Sequence, residues 1–172
     1  ANDTPTRAIY SQYKNELLPP TDNIFSFSNG SGTDEPDDII IINVARSRFR
    51  QKIDPGNWEL RIASGGNGTP NDGDTSYLSF IDNSGQEDNP VINEAGRVFG
   101  IYSGSGAVTS SGVQYGLFYP DWGCYIFNAT RLAAETGMPI DSGSSVLLGQ
   151  LLDQPKNSVT ASMYISASSY FA

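Results

Sequence analysis

The sequence predicts a mainly β, α+β fold: an antiparallel β-sheet or sandwich with two or three short helices. Its 172 residues include 18 glycines and 10 prolines, yet only 17% are charged, a profile typical of many short strands joined by turns. An unbroken β-branched run occupies residues 39–44, and apolar residues alternate with polar ones at 58–62. A chain of this length can also bury a substantial core.

The N-terminal part predicts one amphipathic helix. Apolar residues between positions 6 and 18 recur at spacings near 3.6, and Pro19 and Pro20 prevent the helix from continuing. Residues 26–38 are almost entirely polar, which indicates a surface loop. We therefore divide the chain into a helical segment at 1–23 and a β-rich domain at 24–172, and expect both to belong to a longer chain.

The run at 39–44 predicts a central strand covered on both faces, because it has no polar side for solvent. The next stretch has two interpretations. Its basic residues share one face of a strand, whereas Ala45, Phe49 and Ile53 share one face of a helix. The stop signal at Pro55 and Gly56 favours a short helix, followed by a half-buried strand at 58–62.

Beyond residue 76, apolar runs separated by turn residues predict further strands at 77–81, 97–102, 113–119 and 123–127. The last three are neighbours in sequence and suggest an antiparallel meander. Helices are predicted at 130–136 and 144–152, and a final strand within 158–172.

Composition excludes several classes of function. The net charge of −9 disfavours binding to a nucleic-acid backbone. The chain contains no histidine, so it cannot supply a Ser-His-Asp, Cys-His or His-metal centre by itself. Its one cysteine, Cys124, cannot form an intrachain disulfide. The sequence contains no run of 18 or more apolar residues, so it predicts no membrane-spanning helix. We also expect neither a cofactor nor a metal site.

One enzyme-like motif is present. Asp141, followed by Ser142 and Gly143, resembles the Asp-Ser/Thr-Gly signature of aspartic proteases, in which two aspartates share a proton. A dimer would have to supply the second aspartate, and the same string is common at turns and helix starts. The related string at 82–85 does not match the signature and predicts a hairpin turn.

Two features suggest contacts with other proteins. Four of the ten basic residues fall within seven positions, and the two tryptophans stand in strand and turn contexts suited to core or interface anchors. The basic cluster could equally be a solvated face. The candidate interface residues are Arg46, Arg48, Arg50, Lys52, Trp58 and Trp122.

Four blocks resemble large virion structural proteins, from the tail or baseplate region, of myovirus-type cyanophages. They are residues 39–60, 79–85, 94–99 and 115–123, the last reading Tyr-Gly-Leu-Phe-Tyr-Pro-Asp-Trp-Gly. The blocks are spread between residues 39 and 123 of the chain. The strand after the Tyr-Pro-Asp turn is usually more aliphatic in that family, whereas here it contains Cys124, Tyr125 and Phe127.

This resemblance implies a non-enzymatic structural component of a tailed-phage virion, located in the tail or baseplate region and assembled in the host cytoplasm. Its partners would be other virion proteins or copies of itself, in an oligomeric assembly. The resemblance assigns no functional residues. Two alternatives stay open: a receptor- or carbohydrate-binding virion module, with an aromatic platform near Trp122 or Tyr115, and a dimeric aspartic protease using Asp141.

Overall fold

A computed structural model describes residues 5–49, 51–63, 77–86, 91–104, 112–136 and 165–171. These residues contain helices α1 (Pro5–Leu17) and α2 (Ala129–Thr136) and one 3-10 turn (Arg46–Arg48). The strands are β1 (Phe27–Ser28), β2 (Thr33–Asp34), β3 (Asp38–Val44), β4 (Leu60–Ala63), β5 (Tyr77–Asp82), β6 (Val91–Asn93), β7 (Gly96–Ser103), β8 (Gly116–Tyr119), β9 (Cys124–Asn128) and β10 (Ile165–Phe171).

The strands form one large antiparallel sheet that curls into a half-barrel. Its order is β10-β3-β9-β8-β7-β5-β4, and β6 pairs separately with β7. Strands β1 and β2 form a small ribbon of their own. The predicted mainly β fold is therefore confirmed, and so is the meander, because β7, β8 and β9 pair in sequence order.

Strand β3 has core on both of its faces, which confirms the prediction for residues 39–44. Ile40 and Ile42 lie in a first core, together with buried rings from β5, β7, β8 and β9. Ile39 and Ile41 lie in a second core on the opposite face. Because successive side chains of a strand point to opposite faces, an unbroken apolar run is what a doubly covered strand requires.

Helix α1 covers the second core. Tyr10 and Leu17 are seven residues apart, hence on one face of the helix, and both are buried there. The Tyr10 hydroxyl accepts a hydrogen bond from the backbone N–H of Phe25 at 3.3 Å. The predicted helix at 6–18 is thus confirmed, and it packs against the sheet.

The short helix favoured for residues 45–53 is wrong beyond one 3-10 turn. Phe49 is already extended, with φ −134° and ψ 147°. This extended course carries Phe49 and Ile53 to the first core, and the Ile53 N–H donates to the Pro120 carbonyl at 3.0 Å. The Phe49 ring lies where a side chain at Gly123 would stand, 2.5 Å from that Cβ position. Packing against the β8–β9 turn overrides the local helical pattern.

Other strand boundaries shift from their predicted positions. The strand predicted at 58–62 begins only at Leu60, and the one predicted from Val113 begins at Gly116. Helix α2 confirms the prediction for 130–136. Strand β6 and the β1–β2 ribbon were not predicted. The helix predicted at 144–152 and Asp141 lie outside the described residues.

Arg131 of α2 fastens the β1–β2 ribbon to the sheet. Its guanidinium donates to the Ser28 carbonyl at 2.8 Å, to the Gln114 carbonyl and to the Asp34 carboxylate. A side-chain hydrogen bond from Asn29, together with the Arg131 charge, lowers the pKa of Asp34 below its usual value. These hydrogen bonds of Arg131 also fix the backbone at residue 114, whose side chain lines a surface cleft.

One buried thiol and two buried tyrosine hydroxyls predict that alkaline conditions destabilise the fold. Burial raises the pKa of the Cys124 thiol from 9.0 to about 12 and raises the pKa values of Tyr119 and Tyr125 above their ordinary 10.0. Above pH 9 the unfolded chain therefore loses protons that the folded chain keeps. Stability that is fully present below pH 9 falls as the pH rises towards 12, by up to about 1.4 kcal/mol per pH unit for each group.

Urea unfolding at about pH 8 and about pH 10 tests this expectation, because the midpoint should be lower at the higher pH. Cys124→Ala serves as the matched variant, since removal of the thiol should make the pH dependence between 9 and 10 shallower. Equal midpoints at the two pH values would contradict burial of these groups.

Candidate interaction surfaces

Three parts of the chain meet at one end of the sheet: the β8–β9 turn at 120–123, the β6–β7 turn at 94–95, and residues 46–49 and 51–53. We call the exposed side chains that they and β6 present there the corner surface. It consists of Arg46, Lys52, Val91, Ile92 and Trp122.

Trp122 is held in place although half of its side chain is exposed. Its indole N–H donates to the Ala95 carbonyl at 3.0 Å, which joins the two turns. The backbone on both sides requires glycine: Gly96 has φ +100° and lies against the Asp121 carboxylate, and Gly123 has φ +65°. The polar edge of the indole is thus satisfied by the backbone, while apolar ring surface stays open to solvent.

Strand β6 adds two β-branched side chains to the corner surface. Val91 is 67% exposed and Ile92 is 74% exposed, compared with 50% for Trp122. Single exposed apolar residues are ordinary on protein surfaces. Val91 and Ile92 follow each other on β6 and therefore point to opposite faces of that strand, which leads into the turn that Trp122 holds.

Arg46 is bonded to the backbone of the β8–β9 turn, which carries Trp122. Its guanidinium donates to the carbonyls of Gln51 at 3.0 Å and Asp121 at 3.3 Å, and stands 4.7 Å from the Phe49 ring centre. Lys52 is exposed on the same segment. The structure therefore brings Arg46 to this turn from a position far away in sequence. The Arg48 side chain and Arg50 lie outside what the structure describes.

Trp58 occupies a different place. Its ring packs in the first core, with ring centres 5.2 Å from Phe118 and 4.7 Å from Tyr125. The buried indole nitrogen has no hydrogen-bond partner among the described residues. Tyr115 is also buried, so it cannot serve as an exposed aromatic platform.

A cleft of about 310 Å³ opens on the α1 side of the sheet, between the segment that follows α1 and strands β6 and β7. Sequence analysis did not predict it, because its walls come from distant parts of the chain. Its lining includes the apolar residues Val91, Val98 and Leu117 and the polar residues Asp22, Ser26, Asn83, Asn93, Tyr102 and Gln114.

Three amide side chains of the cleft are fixed by hydrogen bonds. Asn83 Oδ1 accepts from the Gly100 N–H at 3.0 Å. Asn93 donates to the Leu17 carbonyl and accepts from the Ala95 N–H. Gln114 accepts from the Ser28 N–H and donates to the Gly116 carbonyl. The cleft therefore presents preorganised amides, and Asp22 is the one carboxylate that the described part of the chain contributes to its lining.

Asp82, in the string at 82–85, has a structural part. Its buried carboxylate accepts from the backbone N–H groups of Gly56 at 2.8 Å and Ser84 at 2.9 Å. It joins the turn at 54–57 to the end of β5. The predicted turn is present, closed by a hydrogen bond from the Gln86 N–H to the Asn83 carbonyl, but β5 and β6 pair with β7 and not with each other.

The described residues contain no group of three acidic or cysteine side chains placed to hold a metal ion. Within the same residues, no helix is long and apolar enough to cross a membrane. No protein-family model matches the chain, and no curated protein or solved structure is significantly similar to it.

Proposed function

We propose that this chain is a non-enzymatic structural component of a tailed-phage virion, in the tail or baseplate region, and that it acts by subunit assembly. The corner surface is the observation that carries the proposal. The resemblance of the four sequence blocks to virion proteins supplies the setting, and the partner is another virion protein or a second copy of the chain.

The composition of the corner surface suits a protein–protein contact. Aromatic residues and arginine are enriched at the energetic centres of interfaces, and here Arg46 is hydrogen-bonded to the turn that carries Trp122. Val91 and Ile92 extend the apolar area that a partner would remove from water, at roughly 25 cal/mol per Å². Arg46 and Lys52 are cations on a chain of net charge −9, so they favour an acidic patch on the partner.

The corner surface is also preorganised. Trp122 is already fixed by its bond to Ala95, and Arg46 by its two carbonyl acceptors. Docking then costs little side-chain entropy, because these rotamers are set before the partner arrives. A rigid sheet that displays fixed anchors is suited to a repeated, geometrically defined assembly.

Replacement of Trp122 by alanine is expected to lower incorporation of the chain into particles at least about 30-fold, which corresponds to about 2 kcal/mol for an anchor residue. The fold should be retained, because half of the ring lies outside the core. Quantitative mass spectrometry of purified particles, from cells that supply either the wild-type or the variant chain, measures the change.

Thr33→Ala is the matched control, since Thr33 is exposed on the β1–β2 ribbon, which Arg131 fastens near residue 114, at the opposite end of β8 from the β8–β9 turn. It should enter particles as the wild type does. Unchanged incorporation of the Trp122→Ala chain, with its fold verified by circular dichroism, would show that the corner surface is not an assembly contact.

A further inference from the structure

We propose that the cleft beside β7 binds a short, uncharged saccharide, with one sugar ring packed against Tyr102. This inference goes beyond assembly and does not depend on it, because the cleft and the corner surface use different side chains apart from Val91, which belongs to both.

The position of the Tyr102 ring depends on Gly100. They are two residues apart on β7, hence on the same face of the strand. A Cβ atom at position 100 would stand 2.6 Å from Tyr102 Cε2 and 3.1 Å from its hydroxyl oxygen. The phenol ring therefore folds down over the glycine, into space that any other residue would fill, and it lines the cleft in that position.

A ring held in this way is suited to a sugar. The apolar C–H face of a pyranose packs on an aromatic ring, while its hydroxyl groups need donors and acceptors around the edge. Sheet and glycine backbone hold the ring, so little conformational freedom remains to be lost on binding.

The polar groups of the cleft provide the hydrogen-bond donors and acceptors that the sugar hydroxyl groups need. The side-chain amides of Asn93 and Gln114 each donate one N–H to a backbone carbonyl. Each amide nitrogen has a second N–H that does not take part in this bond. Asp22 and Ser26 contribute oxygen acceptors on the opposite wall. Fixed amides and a carboxylate can form directional hydrogen bonds with vicinal hydroxyl groups, which accept and donate at once.

The same lining disfavours charged ligands. Among the described residues, Asp22 is the one acidic side chain of the lining, and none of these residues is a lysine or arginine, so a phosphate or a sugar acid would meet no cation there. The apolar side chains Val98 and Leu117 match the C–H surface of a neutral sugar. A volume of 310 Å³ is at the lower end of the range of roughly 300–1,000 Å³ for small-molecule sites, which suits a short saccharide.

Saturation-transfer difference NMR on the full chain tests the proposal, with the methyl glycosides of glucose, galactose, mannose and N-acetylglucosamine as probes at millimolar concentration. We expect transfer to at least one glycoside, strongest at the ring C–H protons that pack on Tyr102. Tyr102→Ala should weaken binding of that glycoside about tenfold, which is about 1.4 kcal/mol, and Tyr102→Phe should retain it.

Two further variants keep the test decisive if Tyr102→Ala perturbs the strand. Asp22→Ala changes an exposed turn residue that has no part in the core, and it should also weaken binding. Asp54→Ala removes an exposed carboxylate outside the cleft and should leave binding unchanged. The proposal is overturned if none of the four glycosides shows transfer, or if transfer survives Asp22→Ala undiminished or is lost in Asp54→Ala.

Discussion

Phe118→Ala is expected to lower the free energy of unfolding by about 3–5 kcal/mol, the range for removal of a buried aromatic ring. Phe118 is fully buried at the centre of the first core. Its ring stacks on Tyr125 with centres 4.7 Å apart and contacts Trp58 at 5.2 Å. Alanine would leave a cavity between rings that strands β8 and β9 hold in place. Urea unfolding of the isolated chain measures the change.

Leu117→Ala is the matched control for this substitution. Leu117 is the preceding residue on β8, it points to the opposite face and it is only half-buried. Its replacement should cost less than half as much as that of Phe118. A loss below about 1 kcal/mol for Phe118→Ala, which is typical of surface positions, would mean that the aromatic cluster is not the core of the fold.

Asp82→Ala is expected to cost about 1.5–3 kcal/mol, because hydrogen bonds to an ionised group contribute that much. The substitution removes the acceptor of the Gly56 and Ser84 N–H groups and leaves a gap at the end of β5. Gly56 has φ +79°, and the carboxylate helps to hold this turn in the left-handed conformation. The free energy of unfolding, measured in urea, reports the loss.

Asp54→Ala provides the comparison, since Asp54 belongs to the same turn but is exposed, and its carboxylate accepts a hydrogen bond from the exposed side chain of Asn57. Its loss should change stability by no more than about 0.5 kcal/mol, as for most surface positions. Equal effects of the two substitutions would mean that the carboxylate of residue 82 does not organise the joint between the turns.

The local sequence pattern was sufficient to predict the structure where the burial of an element follows from its own residues. The four consecutive isoleucines of β3 cannot be placed with one face in water, and their doubly covered position follows from that fact. The proline pair after α1 and the turn at Pro120 and Asp121 likewise separate elements where the sequence predicts.

The local sequence pattern gave a wrong prediction where a contact with a distant part of the chain determines the backbone conformation. The helical spacing of Phe49 and Ile53 is real, but the open position above Gly123 and the Pro120 carbonyl draw both residues into an extended path. Nothing in the sequence near residue 49 reports that a glycine 74 positions later makes room for its ring. Tertiary packing outweighs a local preference of a few tenths of a kcal/mol per residue.

The interaction surfaces were predictable only in part. Arg46 and Trp122 are identifiable as anchors by residue type, but a long-range hydrogen bond brings Arg46 to the turn that carries Trp122. The cleft unites residues 22, 83, 93 and 114, which no sequence spacing connects. The one local signal was the Gly-x-Tyr pattern at 100–102, where a glycine on a strand face leaves space for the ring two residues on.

Cryo-electron microscopy of native particles that contain this chain is the most direct test of its proposed part in virion assembly. We expect the chain at repeated positions in the tail or baseplate region, with Trp122, Ile92 and Arg46 buried against a neighbouring subunit. A particle in which these three side chains face solvent, or a chain that occurs only free of any particle, would contradict the proposal.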